Sequence, residues 1–185
     1  MAAGGTSSNI ELGAGRIYYA PLGTTEPTNC STAIPSAWQS VGYTEAGSTI
    51  TFAYTTEDIE VAEELYPVLT SQTKAEGTLK FEMAEPTRKR LAVAFGAGAA
   101  YVDNAASFEP PALGTQVSVM MVWDAMDTPD ATNVRWVFRK CFPSGSIELK
   151  NQKAPAKKLI PVEMKLLKPD SAQPFIVFPN SSGLI

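Results

Sequence analysis

The stretch from Ser48 to Gly96 constrains this chain more than any other. Two runs within it alternate strictly, Thr49-Ile50-Thr51-Phe52-Ala53-Tyr54 and Thr78-Leu79-Lys80-Phe81-Glu82-Met83. A period of two sends successive side chains to opposite faces of a strand, and in each run one face is apolar. Between them lies an acidic excursion, Glu57-Asp58-Ile59-Glu60-Val61-Ala62-Glu63-Glu64-Leu65-Tyr66-Pro67, and after them a short helix closed by glycine. Strand, long excursion, strand and helix together read as an assembly device and not as a catalytic one.

The first strand is expected over Thr49–Thr56, with Ile50, Phe52 and Tyr54 inward, and the second over Ala75–Ala84, with Leu79, Phe81 and Met83 inward. Residues 57–74 are ambiguous. Ile59, Ala62 and Leu65 fit a helical turn, Ile59 and Val61 fit a continued strand, and Pro67 ends either one. Pro86 suits the first turn of a helix, which runs over 86–95 with Thr87, Leu91, Ala94 and Phe95 on one stripe. Gly96 and Gly98 end it.

Further strands are expected at Arg16–Ala20, Trp38–Thr44, Thr115–Asp124, Asn133–Phe142, Ser146–Lys150, Lys158–Lys168 and Phe175–Phe178. Thr115–Asp124 is apolar on nearly both faces, which marks a strand covered on both sides. In Asn133–Phe142 the alternation puts Val134, Trp136, Phe138 and Phe142 on one face and Arg135 and Arg139 on the other. The order predicts a mostly β protein, an antiparallel β-sandwich or barrel with one flanking helix. Residues 1–14, 15–168 and 169–185 divide as an N-terminal arm, the β domain and a C-terminal strand or arm.

Composition narrows the function. The chain has 185 residues and no histidine, which removes the commonest general base and metal ligand. A net charge of −4 argues against phosphate neutralisation as a binding mode. Only 18% of residues are charged, below the roughly 25% of ordinary soluble domains, as expected where partners cover much of the surface. Cys30 and Cys141 lack metal-ligand spacing and are expected as free thiols. A secretory signal and a membrane anchor are not expected.

The local motifs point the same way. Gly13-Ala14-Gly15 and Gly96-Ala97-Gly98 lack the strand-to-helix setting of a phosphate loop and read as turns. The acids of 57–64 lack calcium-loop spacing, and an exposed ribbon is a poor place for a glycosidase pair. They read as solvated or partner-facing charge. Arg88, Lys89 and Arg90 crowd the first helical turn, where the dipole disfavours cations, with Glu82 and Glu85 as possible offsets. Either they form a solvated surface or they meet the acids of a neighbouring subunit. Trp38, Trp123 and Trp136 fall in expected strands and read as core. No enzyme and no cofactor is expected.

The ordered set Gly15–Thr24, Trp38–Glu45, Thr49–Glu60, Tyr66-Pro67-Val68 and Thr78–Thr87 resembles the major tail tube protein of long-tailed, non-contractile bacteriophages, best over residues 15–96. That resemblance implies hexameric rings stacked into a tube, with inner sheets joined into one barrel. It implies that residues 57–74 form a long loop reaching neighbouring subunits, with Glu57, Asp58, Glu60, Glu63, Glu64, Leu65, Tyr66, Arg88, Lys89 and Arg90 as contacts. It implies that Thr49, Thr51, Ala53, Thr55, Thr78 and Glu82 face a lumen through which DNA slides without specific binding. Lys80 departs from this unless it pairs with Glu82 or lies outside. Terminal arms would bridge rings, and tape-measure, tail-terminator and distal-tail proteins would be partners. The protein would be assembled in the host cytoplasm and reside in the virion tail. The rival readings are a monomeric β-sandwich binding module, for example for carbohydrate, and another phage structural protein such as a tail terminator or head decoration protein.

Overall fold

The structure, a computed structural model, describes residues 15–98, 107–126, 133–150 and 157–179. In chain order it contains β1 (Arg16–Pro21), β2 (Gln39–Ser40), β3 (Thr44–Ile59), β4 (Leu69–Met83), α1 (Arg88–Ala94), β5 (Val119–Met126), β6 (Asn133–Ser144), β7 (Ile160–Leu166) and β8 (Phe175–Phe178). The strands form one antiparallel sheet in the order β2-β1-β5-β6-β7-β4-β3, with β8 also on β6. Its path starts at β2 and ends at β3, so the sheet is not closed.

The sheet folds over at β6. That strand gives Arg135–Phe138 to β8 and Cys141–Ser144 to β7. Between the two segments Met121 faces Phe138 while Val119 faces Cys141, so β6 carries one residue more than β5. Such a bulge bends a strand and tightens its twist. The two arms then face each other across one core. Ile17, Tyr19 and Met121 from one arm share it with Leu79, Phe81, Met83, Ile160, Val162 and Met164 from the other, and Val93 of α1 joins them.

A second, smaller core lies behind the first arm. Ala20, Trp38, Met120, Val122 and Val137 form it, with Ile34 from the 21–38 loop packed against them. Alternate residues of β5 therefore enter different cores, Val119 and Met121 the first and Met120 and Val122 the second. This is why that run reads apolar on both faces.

Several expectations need correction. Of the Trp38–Thr44 run, Gln39–Ser40 pair as β2 and Thr44 opens β3, while Val41–Tyr43 are not strand and Trp38 is buried just before β2. β3 starts at Thr44, earlier than Thr49, because Gly47, at φ +81°, sits in a bulge between Glu45 and Ser48 and makes no turn. Residues 146–150 form no strand. The β6 bulge breaks the alternation, so Cys141 is buried and Phe142 is not. Arg135 does lie on the face opposite Phe138, and that face is buried there too.

The helix is shorter than 86–95. Thr87 is its N-cap residue with extended backbone, and Pro86 stands just outside. Its buried residues are Ala92, Val93 and Ala94, a different set from the expected stripe. Just past the helix, Val117 N–H donates to the Gly96 carbonyl, so residues 116–117 run against the turn that follows it.

Candidate functional site

β3 and β4 pair continuously from Thr44↔Met83 to Ile59↔Leu69, apart from two register shifts. Fifteen strand steps at about 3.3 Å each make a ribbon about 50 Å long. β4 also pairs with β7, but that ladder ends at Thr78↔Lys165. Beyond it the ribbon is two-stranded, and residues 53–75 are exposed on both faces.

The acidic excursion is the outer half of this ribbon. Glu57 and Asp58 lie in β3 opposite Ser71 and Thr70, and Thr70 Oγ1 donates to Asp58 Oδ1 at 2.6 Å. The chain turns over 60–68 and resumes as strand at Leu69, so residues 57–74 are a hairpin more than a loop. The helical fit of Ile59, Ala62 and Leu65 is not realised, because Val68 N–H closes across to the Ile59 carbonyl at 3.0 Å. Glu60, Glu63 and Glu64 surround a tip on which Leu65 is 98% exposed and Tyr66 83%.

One face of the inner ribbon is polar. Thr49, Thr51, Ala53 and Thr55 stand opposite Lys80, Thr78, Glu76 and Lys74, and the row continues onto β7 as Glu163 opposite Lys80 and Lys165 opposite Thr78. Glu82 shares this face and lines a crevice with Glu148, Lys150 and Lys157. The structure thus brings together all six residues expected on one wall. Lys80 also lies there, and its partner is Glu163 at 3.0 Å, not Glu82. Glu76 sits between Lys74 at 2.8 Å and Lys165 at 3.0 Å. Hydrogen bonds from these two ammonium groups hold its carboxyl down to about 2. Each of these lysines therefore lies against a carboxylate, Lys80 against Glu163 and Lys74 and Lys165 sharing Glu76. Sequence reasoning missed Lys74 and Glu76, although they share the parity of Thr78 and Lys80. Glu163 and Lys165 become visible only with the β4–β7 register.

The helical cations divide. Arg90 is spent within the chain: Nε donates to the Val41 carbonyl at 2.6 Å, Nη1 to Thr87 Oγ1 at 3.0 Å, and Nη2 pairs with Glu85 at 2.8 Å. Arg88 is half-buried and Lys89 exposed. All three lie at the Thr44/Met83 end of the ribbon, about 50 Å by strand length from its acidic tip. A single chain does not bring the two clusters together.

Among the described residues no group of acids, cysteines or histidines could hold a metal ion, and no helix is long and apolar enough to cross a membrane. Both cysteines are free; burial pushes the Cys141 thiol up, and Cys30 Sγ donates to the Pro179 carbonyl. The described residues thus present an open antiparallel sheet, a long exposed ribbon and a wall of ion-paired lysines and glutamates.

The family model for phage tail tube proteins matches residues 3–180. The chain belongs to the phage tail tube protein family. It is a structural protein of a phage tail, and the match extends well past residues 15–96, where the order of residues alone carries the resemblance. No curated protein matches the sequence. Among solved structures this tail tube protein is similar to a chain of the anti-feeding prophage baseplate, six-fold symmetrised, seen by cryo-EM. The identity is 10%, with 96% of this chain and 97% of that chain covered and a TM-score of 0.49.

Proposed function

We propose that this tail tube protein assembles with its own copies into hexameric rings that stack into the tube of a long-tailed, non-contractile phage. DNA passes through the lumen during ejection. The observation that carries the reading is the two-stranded ribbon. An isolated two-stranded hairpin is marginal in water at best. This one runs beyond β7 with Leu65 and Tyr66 fully presented to solvent, so it gains its covering from another molecule. Glu57, Asp58, Glu60, Glu63, Glu64, Leu65 and Tyr66 are its contact residues with the neighbouring subunit.

The wall of Thr49, Thr51, Ala53, Thr55, Thr78 and Glu82 faces the lumen. Its small side chains and ion-paired lysines and glutamates suit a passage along which a polyanion slides without sticking. β3 ends the sheet and offers unpaired backbone groups; joining sheets across subunits removes that edge. The tube is assembled in the host cytoplasm from self-contacts, with tape-measure, tail-terminator and distal-tail proteins as further partners. The expected N-terminal arm, residues 1–14, lies outside the described residues. The protein has no catalytic role.

Negative-stain electron microscopy of the purified protein and of producing lysates tests this. Rings or tubes are expected. Monomers alone at high concentration, together with lysates free of tubes, would overturn the reading.

A further inference from the structure

At the base of the ribbon, on the side opposite the polar wall, lies an open apolar cleft of about 330 Å³. Phe52, Tyr54, Ala75 and Gly77 of the ribbon form one side and Leu166, Pro174 and Phe175 the other, and Glu76, its carboxylate held by Lys74 and Lys165, also lines the cleft. The volume falls in the range of roughly 300–1,000 Å³ common to sites that take an organic group. Lys168 and Gln173 stand at the rim, both exposed, and Lys168 has no ion pair among the described residues.

We propose that this cleft is the socket for the ribbon tip of a second copy, with Leu65 and Tyr66 entering it and Glu63 or Glu64 meeting Lys168. The inference deepens the tube reading and rests on it. Two observations choose the occupant. The first is chemical: the tip pairs highly exposed apolar side chains with flanking carboxylates, matching an apolar cleft with an ammonium at its rim. Leu113 is as exposed, at 96%, but Ala112 and Gly114 flank it and give it no charge for Lys168.

The second is geometric. Socket and tip belong to the same ribbon. From Tyr54↔Ala75 to the last pair, Ile59↔Leu69, is five strand steps, about 17 Å, with the turn beyond. A paired ribbon does not fold back over that distance, so no chain fills its own socket. Tip into the next copy's socket is a heterologous contact, the kind that closes rings or propagates tubes.

The test uses the full chain with Tyr66 replaced by the photoreactive residue p-benzoylphenylalanine, assembled from an equal mixture of ¹⁵N-labelled and unlabelled protein. Irradiation and mass spectrometry are expected to give adducts between labelled and unlabelled chains, mapping to residues 166–175. A second variant, Ala75→Trp, fills the socket from an exposed position. It is expected to raise the concentration needed for assembly about tenfold, which is about 1.4 kcal/mol per contact, with an unchanged unfolding midpoint. Tubes whose adducts map elsewhere, for example to Arg88–Leu91, would overturn the socket alone. So would Ala75→Trp tubes forming at the wild-type concentration. Wild-type protein that never assembles would overturn the tube reading and the socket with it.

Discussion

Arg135 is the clearest case of a residue whose sequence setting misleads. Its guanidinium is 1% exposed, holds Asp124 through both carboxylate oxygens at 3.1 and 3.2 Å, and donates to the Asn29 and Thr32 carbonyls at 2.7 and 2.9 Å. One side chain thus joins β5 to β6 and pins the 21–38 loop that covers the second core. Alternation places it correctly on the face opposite Phe138; what alternation cannot supply is that a loop buries that face. Asp124 and Arg135 become a readable pair only with the register that sets them opposite each other. Arg135→Ala leaves a buried, uncompensated carboxylate and is expected to cost about 3–5 kcal/mol in denaturant unfolding. The double variant Arg135→Met, Asp124→Leu should lose less than the single, because no charge is then stranded. Glu76 offers a gentler test. Its folded pKa is depressed from 4.5 to about 2, so the ion pairs are complete above 4.5 and fade as pH falls through about 2. A carboxyl carbon NMR titration should find Glu76 still ionised at pH 3.5. An ordinary midpoint near 4.5 would show that the paired lysines do not hold it. The effect on stability is small, because the group is exposed.

At the scale of elements, legibility followed burial. Thr78–Met83 reads correctly residue by residue because one of its faces is core, and burial is what writes a period of two into a sequence. Residues 57–74 stayed ambiguous because neither face of the outer ribbon is buried, so no period is imposed there. The helix departs from its expected stripe because it spans only Arg88–Ala94 and buries three consecutive residues, Ala92, Val93 and Ala94, which no single 3.6-residue stripe contains. Gly77 shows a related limit. It looks like an interruption of a strand, yet an added Cβ would stand 2.8 Å from Leu166 Cδ1 and 3.4 Å from Phe52 Cδ1. The glycine makes room for two apolar side chains that cross the strand. Gly77→Val should therefore cost about 1–3 kcal/mol despite the better strand propensity of valine, seen as a lower denaturation midpoint. Replacing residues 60–68 by Asn-Gly, a preferred two-residue hairpin turn, removes only exposed groups. Stability should stay within about 0.5 kcal/mol of the parent, while sedimentation should find the protein unassembled.

For the whole molecule, the division of charge matters more than its net value. The ribbon gathers acids at its tip and ion-paired lysines and glutamates along its wall, so one element presents an acidic end and a side of mixed charge. The sequence already displays the hydroxyls of that wall on Thr49–Thr55, but its ion pairing, Lys80 with Glu163 and Glu76 with both Lys74 and Lys165, rests largely on β4–β7 contacts that no local pattern reveals. If the wall lines the lumen, each added lysine is repeated around every ring and along the tube, and faces a polyanion that carries its charge every few ångströms. Thr51→Lys with Thr55→Lys changes two exposed positions without a buried partner, so tubes should assemble as before. DNA release from such particles, followed by dye fluorescence from single virions, should slow. The slowing should shrink as salt rises, since the new contacts are counterion-dependent. Lys80→Gln supplies the opposite sign, leaving Glu163 unmatched, and should not slow release. Equal release rates for all three proteins at low salt would move this wall off the DNA path and onto the outside of the tube.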